Sequence, residues 1–383
     1  MEYKLSDEVT AIKNVAIKFA REKLAPIAKE DYDKELFRRE IVEEMSEIGF
    51  FGCLMPEKYG GTNLGYFAAV QIAEEISKVS ASYGGTFVGQ LAGPPVTILK
   101  YGTDEQKDKY ISGIVSGRLL PLFASTEPDA GSDVAAMRSK AVENDNHFVI
   151  NGVKTWITNA TVADMGLFWV YTDTERKHKG ISSFLVDMKV TPGITTRKIH
   201  KLGLVCSDAG EVVLEDVEIP KSSLLGQRGQ GFEILMFTLG NTRIFAATRA
   251  LGVSRACLEE SLKYAKERIQ FGKPIAEFQM IQSQLADMYV DIEASKTLIY
   301  QAAANKDRGI NDLTEVATAK YFACEAGVRV ALAAMKIFSS YGFSIEYPLQ
   351  RYVRDAMAFP ITEGTSNIQK LIIARSLLKG ERS

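Results

Sequence analysis

The spacing of apolar residues changes twice along this 383-residue chain. Up to about residue 118 it follows a helical period, and Val9, Ile12, Ala16 and Phe19 share one face of an opening amphipathic helix. Breaks fall at residues 59–65 and 93–95. From Leu119 the rhythm shortens to strand-like runs: LLPLFAS, HFVI, VKTWIT, GLFWVY, SSFLVD and EVVLEDVEIP, with turns at 143–146 and 191–193. From Gly231 helices return, at 232–268, 281–306, 314–339 and after Ser366, with Ile281, Leu285, Met288 and Ile292 in helical register. The pattern predicts an α+β chain in three parts. These are an N-terminal helical domain (1–118), a middle antiparallel sheet or β-barrel (119–230) and a C-terminal helical bundle (231–383).

Charge adds little to this outline. The chain holds 46 basic and 48 acidic residues for a net charge of −2, which provides no field for nucleic acid. Cys53, Cys206, Cys257 and Cys324 lie far apart, without a CxxC and with three histidines in the chain. That arrangement argues against a structural metal and fits a reducing compartment, here the cytoplasm. The N-terminal segment lacks the apolar stretch and cleavage site of a secretory signal. Residues 79–99 carry no charge and are long enough to span a bilayer. Their glycines and prolines, among them Gly84, Gly85, Gly93, Pro94 and Pro95, suit helix and turn buried in protein, so no membrane insertion is expected.

Signatures of serine hydrolases, zinc proteases and P-loop enzymes are absent. Gly226, Gly229 and Gly231 do not keep GxGxxG spacing or sit in a strand–helix–strand pattern, which disfavours a nicotinamide site. Other stretches hold more promise. FASTEPDAGSDVAAM (123–137) leaves a strand for a loop crowded with hydroxyls, which is either turn chemistry or a platform for a planar cofactor. GVKTWITNA (152–160) offers Trp156 as an aromatic wall beside Thr155 and Thr158. YAKERIQFGKPIAEFQ (264–279) ends a helix with Arg268 and Phe271, suited to a phosphate and an adenine. In AFPITEGTSNIQKL (358–371), Glu363 stands between an apolar run and a helix start, as a helix-end acid or a base.

STEPDAGSDVA, KTWITNA, RIQFGKP, YGFSIEYPLQRYVRDA and EGTSNIQKL follow the order found in the acyl-CoA dehydrogenase family of flavoenzymes, which the chain resembles over essentially its whole length. The resemblance implies FAD between the middle and C-terminal domains, and a homotetramer built on the C-terminal bundle. By position, Thr126 and Ser132 match residues that meet the flavin ring, and Trp156 and Thr158 those stacked beside it. Arg268 and Phe271 match the pair that reaches the FAD of a neighbouring subunit, so at least a dimer is implied. Lys336, Ser340, Thr365 and Asn367 fall at further FAD positions, and Ser132, Arg243, Thr362 and Gly364 at substrate positions. No metal is implied.

Glu363 matches the family's base, which removes the α-proton of an acyl-CoA thioester while flavin N5 accepts the β-hydride. Electrons would pass to an electron-transfer flavoprotein. The Glu363 amide and a ribityl hydroxyl of FAD would stabilise the enolate oxygen. Such a base is expected in an apolar, water-poor setting. Thr242 occupies the other position from which relatives supply the base, leaving Glu363 unopposed.

Departures are informative. Thr362 replaces a common aromatic residue and widens the acyl pocket, while Lys336, Ser339 and Ser340 alter the adenosine end. Gly240 stands where an aspartate often meets the pantetheine arm, which leaves the carrier open between CoA and an acyl carrier protein. An oxidase or an enoyl-CoA reductase would share the same residues. Relatives acting on glutaryl-CoA carry an arginine within the stretch matching 79–99; none stands there, so an uncharged acyl tail is expected.

Overall fold

The computed structural model describes residues 6–380. The first third is helical: α1 (Asp7–Phe19), α2 (Ala28–Lys34), α3 (Arg39–Glu47), α4 (Gly65–Val79), α5 (Ala81–Leu91), α6 (Pro94–Tyr101) and α7 (Asp104–Val115). Local sequence sets several of these boundaries. Ser6 caps α1 by accepting the Val9 amide, and Thr103 and Gln106 form a reciprocal capping box on α7. Pro94 opens α6, where a missing N–H costs nothing. The uncharged stretch 79–99 thus becomes α5 and most of α6, broken at Gly93 and packed inside the protein. Among the described residues no helix is long and apolar enough to cross a membrane.

Eight strands follow: β1 (Pro121–Ala124), β2 (Lys140–Glu143), β3 (His147–Thr158), β4 (Met165–Tyr171), β5 (Ile181–Asp187), β6 (Ile194–Lys198), β7 (Ala209–Pro220) and β8 (Leu224–Leu225). They form one sheet in the order β6-β7-β3-β2-β4-β5-β8, with β1 also on β4. HFVI and VKTWIT are a single strand, β3, with two register shifts against β7. The sheet is not wholly antiparallel, as the sequence had suggested. β1 and β2 both run parallel to β4, one after the other along the same edge, with the loop 125–139 looping out between them. That detour displays the loop at the sheet end. All of β4 is buried because its two faces serve different cores. Phe168 and Val170 pack against other strands, whereas Leu167 and Trp169 meet Ile111, Ile114 and Ile234 from the helices.

The remainder comprises α8 (Gly231–Glu267), a small hairpin of β9 (Ile269–Gln270) and β10 (Lys273–Pro274), then α9 (Gln279–Asp307), α10 (Leu313–Phe338), α11 (Leu349–Ala356) and α12 (Ser366–Lys379). With 37 residues, α8 is about 55 Å long and is the axis of the molecule. Ile72, Ile76, Ile244, Leu251, Val330 and Ala331 belong to one core, so the helices from the two ends of the chain pack together. At Gly252 a Cβ would lie 2.7 Å from the Glu74 carbonyl oxygen, and only glycine permits so close a crossing of α4 and α8.

Candidate functional site

Residues selected from the sequence fall into three groups. The first surrounds Glu363, in the turn between α11 and α12. Its carboxylate Oε2 accepts a hydrogen bond from the Thr242 hydroxyl at 2.6 Å. Its carbonyl accepts from Arg243 Nε at 3.3 Å and from Gln369 Nε2 at 3.4 Å. Gln369 also donates to the Gly364 carbonyl at 2.8 Å. Lys320, fully buried on α10, donates to the carbonyls of Phe359 and Gly364, both at 2.9 Å, and so ties the two ends of the turn together. Thr365 caps α12 by accepting the Ile368 amide, and Asn367 stands exposed in the first turn.

Glu363 and Gly364 both have left-handed backbone, with φ of 56° and 85°. For a non-glycine residue this costs energy and persists only where neighbours impose it. Among the described residues no backbone carbonyl accepts the Glu363 amide. The hydroxyl of Thr362 is likewise buried without a partner. A half-buried turn with a buried, partnerless hydroxyl and a free amide is incomplete on its own and suits a hydrogen-bonding ligand. The surroundings are not simply apolar, as the sequence reading had it. Burial pulls the pKa of Arg243 and of Lys320 down, while the Glu363 carboxylate opposes that fall at both.

The second group lies at the sheet end. The Thr155 amide donates to the Thr126 carbonyl at 3.0 Å, which brings the loop 125–139 against β3. A register shift between Lys154 and Ile157 gives Trp156 a φ of 58° and turns its indole outward, 62% exposed. Thr158 and Ser132 are exposed nearby on the same strand end and loop. Beneath them Lys154 is fully buried, donating to Glu127 Oε1 at 2.7 Å and to the Trp169 carbonyl at 2.6 Å. Glu127 also accepts the amides of Arg138 and Ser139. Burial opposes ionisation of Glu127, but Lys154 and the Arg138 amide outweigh it and hold its pKa down. Desolvation brings Lys154 down to about 8 against the pull of Glu127.

The third group is on the outside. Phe271 and Gly272, with φ of 51° and 80°, make the two-residue turn joining β9 and β10, the conformation a type I′ hairpin requires. Phe271 is 93% exposed at its tip. The Arg268 guanidinium lies 5.5 Å over the Tyr341 ring, next to exposed Ser340 and one turn beyond exposed Lys336. Sequence reasoning missed Lys320, Lys154 and the Thr242 contact. A lysine inside an apolar helical run, as in TAKYFACEAG, is the one signal that could have drawn attention to Lys320.

Three family models cover the chain: the acyl-CoA dehydrogenase N-terminal domain at 6–118, the middle domain at 122–217 and the C-terminal domain at 229–378. The chain belongs to the acyl-CoA dehydrogenase family. Members are FAD-dependent oxidoreductases acting on CH–CH bonds. The glutaryl-CoA dehydrogenase of Desulfococcus multivorans is 42% identical over 98% of this chain and 97% of its own. A structure described as the electron transferring flavoprotein of Acidaminococcus fermentans superposes with a TM-score of 0.97 at 37% identity, covering 99% of this chain and 100% of that one. Butyryl-CoA dehydrogenase from Megasphaera elsdenii gives a TM-score of 0.96 at 36% identity, covering 99% and 100%. The fold expected from the sequence is therefore that of the family.

Residues of the second group fit the flavin that the family carries. An indole held outward by a left-handed residue, with the exposed Thr158 two residues on along the same strand and exposed Ser132 on the loop that Thr126 ties to that strand, suits an aromatic, hydrogen-bonding ligand.

Proposed function

We propose that this protein catalyses the α,β-dehydrogenation of an acyl-CoA thioester, with Glu363 as the base that takes the α-proton. The observation that carries the reading is the Glu363 turn. Its carboxylate is fixed by Thr242 while its own amide has no backbone acceptor. One residue thus offers an oriented base and, through its amide, a donor for the thioester oxygen on which charge develops. Arg243, Lys320 and Gln369 hold the turn through its carbonyls and leave the carboxylate free to move a proton. Thr362 and Gly364 flank the acyl group. Bound FAD supplies the hydride acceptor. Thr126, Ser132, Trp156 and Thr158 would hold its ring, Thr365 and Asn367 would lie beside it, and Arg268, Phe271, Lys336 and Ser340 would face the adenosine half of a neighbouring copy's FAD.

Exposed apolar residues on the C-terminal part, Phe343, Ile345 and Leu378 among them, support a homotetramer. A relative from Acetobacterium woodii that is 38% identical over 98% of this chain is described as a subunit of a caffeyl-CoA reductase-Etf complex, which supports an electron-transfer flavoprotein as the redox partner. Four free, buried cysteines agree with the cytoplasm. The domain limits 118/119 and 230/231 stand as our division of the chain.

The test is Glu363→Gln, which keeps shape and amide but removes the basic oxygen. Anaerobic flavin bleaching in a single turnover should fall by about 10²- to 10⁴-fold, with thioester binding retained. Bleaching at the parent rate would reduce Glu363 to a helix-end residue.

A further inference from the structure

Arg249 lies on α8 seven residues beyond Thr242, and therefore on the same face, two turns or about 10 Å along the axis. Its side chain crosses to the segment that sequence alone left without charge. Nε and Nη2 donate to the Ala81 carbonyl at 3.2 and 2.9 Å, at the start of α5. The guanidinium also lies 5.4 Å over the ring of Phe359, four residues before Glu363. Space for it is made by glycine: a Cβ on Gly85 would come within 2.8 Å of Nη2 and 3.3 Å of Nη1. Among the described residues Arg249 forms no salt bridge, and no hydrogen-bond acceptor is found for its Nη1.

An unpaired guanidinium in such a place is costly. Burial pulls its pKa down, against the opposing influence of Glu363 and then of Asp355. Asp355 is itself occupied by the Leu204 amide and the Tyr32 hydroxyl. Yet Arg249 keeps solvent-accessible surface, although protein surrounds it. Both conditions are met by a side chain that lines an internal cavity. The buried, partnerless hydroxyl of Thr362 lies in the same turn as Phe359 and Glu363.

We propose that Arg249 is a specificity residue that receives a carboxylate at the far end of the acyl group, so that the substrate is the CoA thioester of a dicarboxylic or similarly acid-tailed acid. This rests on the dehydrogenation reading above for where the thioester lies. The helix-side spacing of about 10 Å between Thr242 and Arg249, less the reach of the long arginine side chain, suits a tail of a few carbons between base and guanidinium. A carboxylate would satisfy the free Nη1 donor, and the guanidinium would offset the desolvation that an acidic tail otherwise suffers. The proposal departs from the uncharged tail expected from residues 79–99, because the countercharge would come from another helix.

The experiment compares glutaryl-CoA with pentanoyl-CoA, of equal chain length, by calorimetric binding to FAD-loaded Glu363→Gln protein, which does not turn them over. Alongside it, anaerobic flavin bleaching is followed in the parent. Glutaryl-CoA should bind roughly 10- to 100-fold tighter. Adding Arg249→Gln should abolish that preference while leaving pentanoyl-CoA affinity within a few-fold, and Arg249→Lys should restore part of it. Equal binding of the two thioesters, or an Arg249→Gln loss that affects both alike, overturns the proposal; the first comparison needs no Arg249 variant to fold. If the binding preference and its loss are found but neither thioester bleaches the parent flavin, the dehydrogenation reading falls and the acid-tail site stands.

Discussion

The turn that carries Glu363 and the surfaces that carry Trp156 and Phe271 use the same backbone device to opposite ends. All three residues are left-handed without being glycine, with φ of 56°, 58° and 51°. At Glu363 the strained residue points into protein and is met from α8, α10 and α12 by Thr242, Arg243, Lys320 and Gln369. At Trp156 and Phe271 the strain points aromatic rings outward, 62% and 93% exposed, and one copy of the chain gives them little in return. The difference separates what the chain completes alone from what, on the function proposed above, a cofactor and a second copy would complete. A reacting group must be held before substrate arrives, because its geometry sets the barrier. Groups that face a large ligand can be completed by that ligand.

The sharpest way to break this comparison is to remove what lies beneath the outward display. Glu127→Gln leaves Lys154 buried without its carboxylate and should cost about 3–5 kcal/mol in urea unfolding. The change should also alter the acid side of the stability profile. Because the folded protein holds the Glu127 pKa below its ordinary value of 4.5, its contribution is present above 4.5 and lost as the pH falls through the lower folded value. That part of the acid loss should be missing in the variant. An unchanged profile with unchanged stability would mean that the pair does not support the loop.

Next in size is Lys320→Met, which strands the carbonyls of Phe359 and Gly364. Unfolding should become easier by about 3 kcal/mol, and, if Glu363 is the base, flavin bleaching should slow because its turn loses this clamp. A stability loss with undiminished bleaching would show that Arg243 and Gln369 hold the turn unaided. Thr242→Val is smaller again. It removes one hydroxyl from the Glu363 carboxylate, which should cost about 1.5 kcal/mol of stability and, if the same contact orients the carboxylate for proton transfer, change the bleaching rate roughly tenfold.

The boundary between inward and outward parts was also the boundary of what the sequence made legible. Element types along the chain were readable from periodicity, since α8, α9 and α10 keep their apolar faces over many turns. β6 escaped because Thr195 to Lys198 are exposed and give no alternating signal, and α11 because it is short and polar on one side. The motif residues stood out by type and order. The residues that orient them did not: Lys320 is 43 positions from Glu363 and Thr242 is 121 positions away, and only tertiary packing brings them together. Arg249 was missed for the same reason. Charge was sought within residues 79–99, whereas a guanidinium reaches that segment from α8.

The smallest expected effect on the protomer is the most telling one for the outward half. Phe271→Ser exchanges a ring that is 93% exposed and makes one edge contact, with Phe278 at 6.0 Å. An exposed substitution of this kind should shift protomer stability by no more than about 0.5 kcal/mol, and the shorter polar side chain tolerates the turn at least as well. If the ring is displayed for the FAD of a second copy, the variant should nevertheless lose flavin on dilution, and its assembly should dissociate at higher protein concentration than the parent. Sedimentation together with the flavin-to-protein absorbance ratio reads both. Full flavin retention in an assembly of parent stability would leave the strained turn without a role between copies. In that case the contrast with Glu363 would fail at its outer end, because a left-handed phenylalanine in water would then be kept by nothing that the assembly uses.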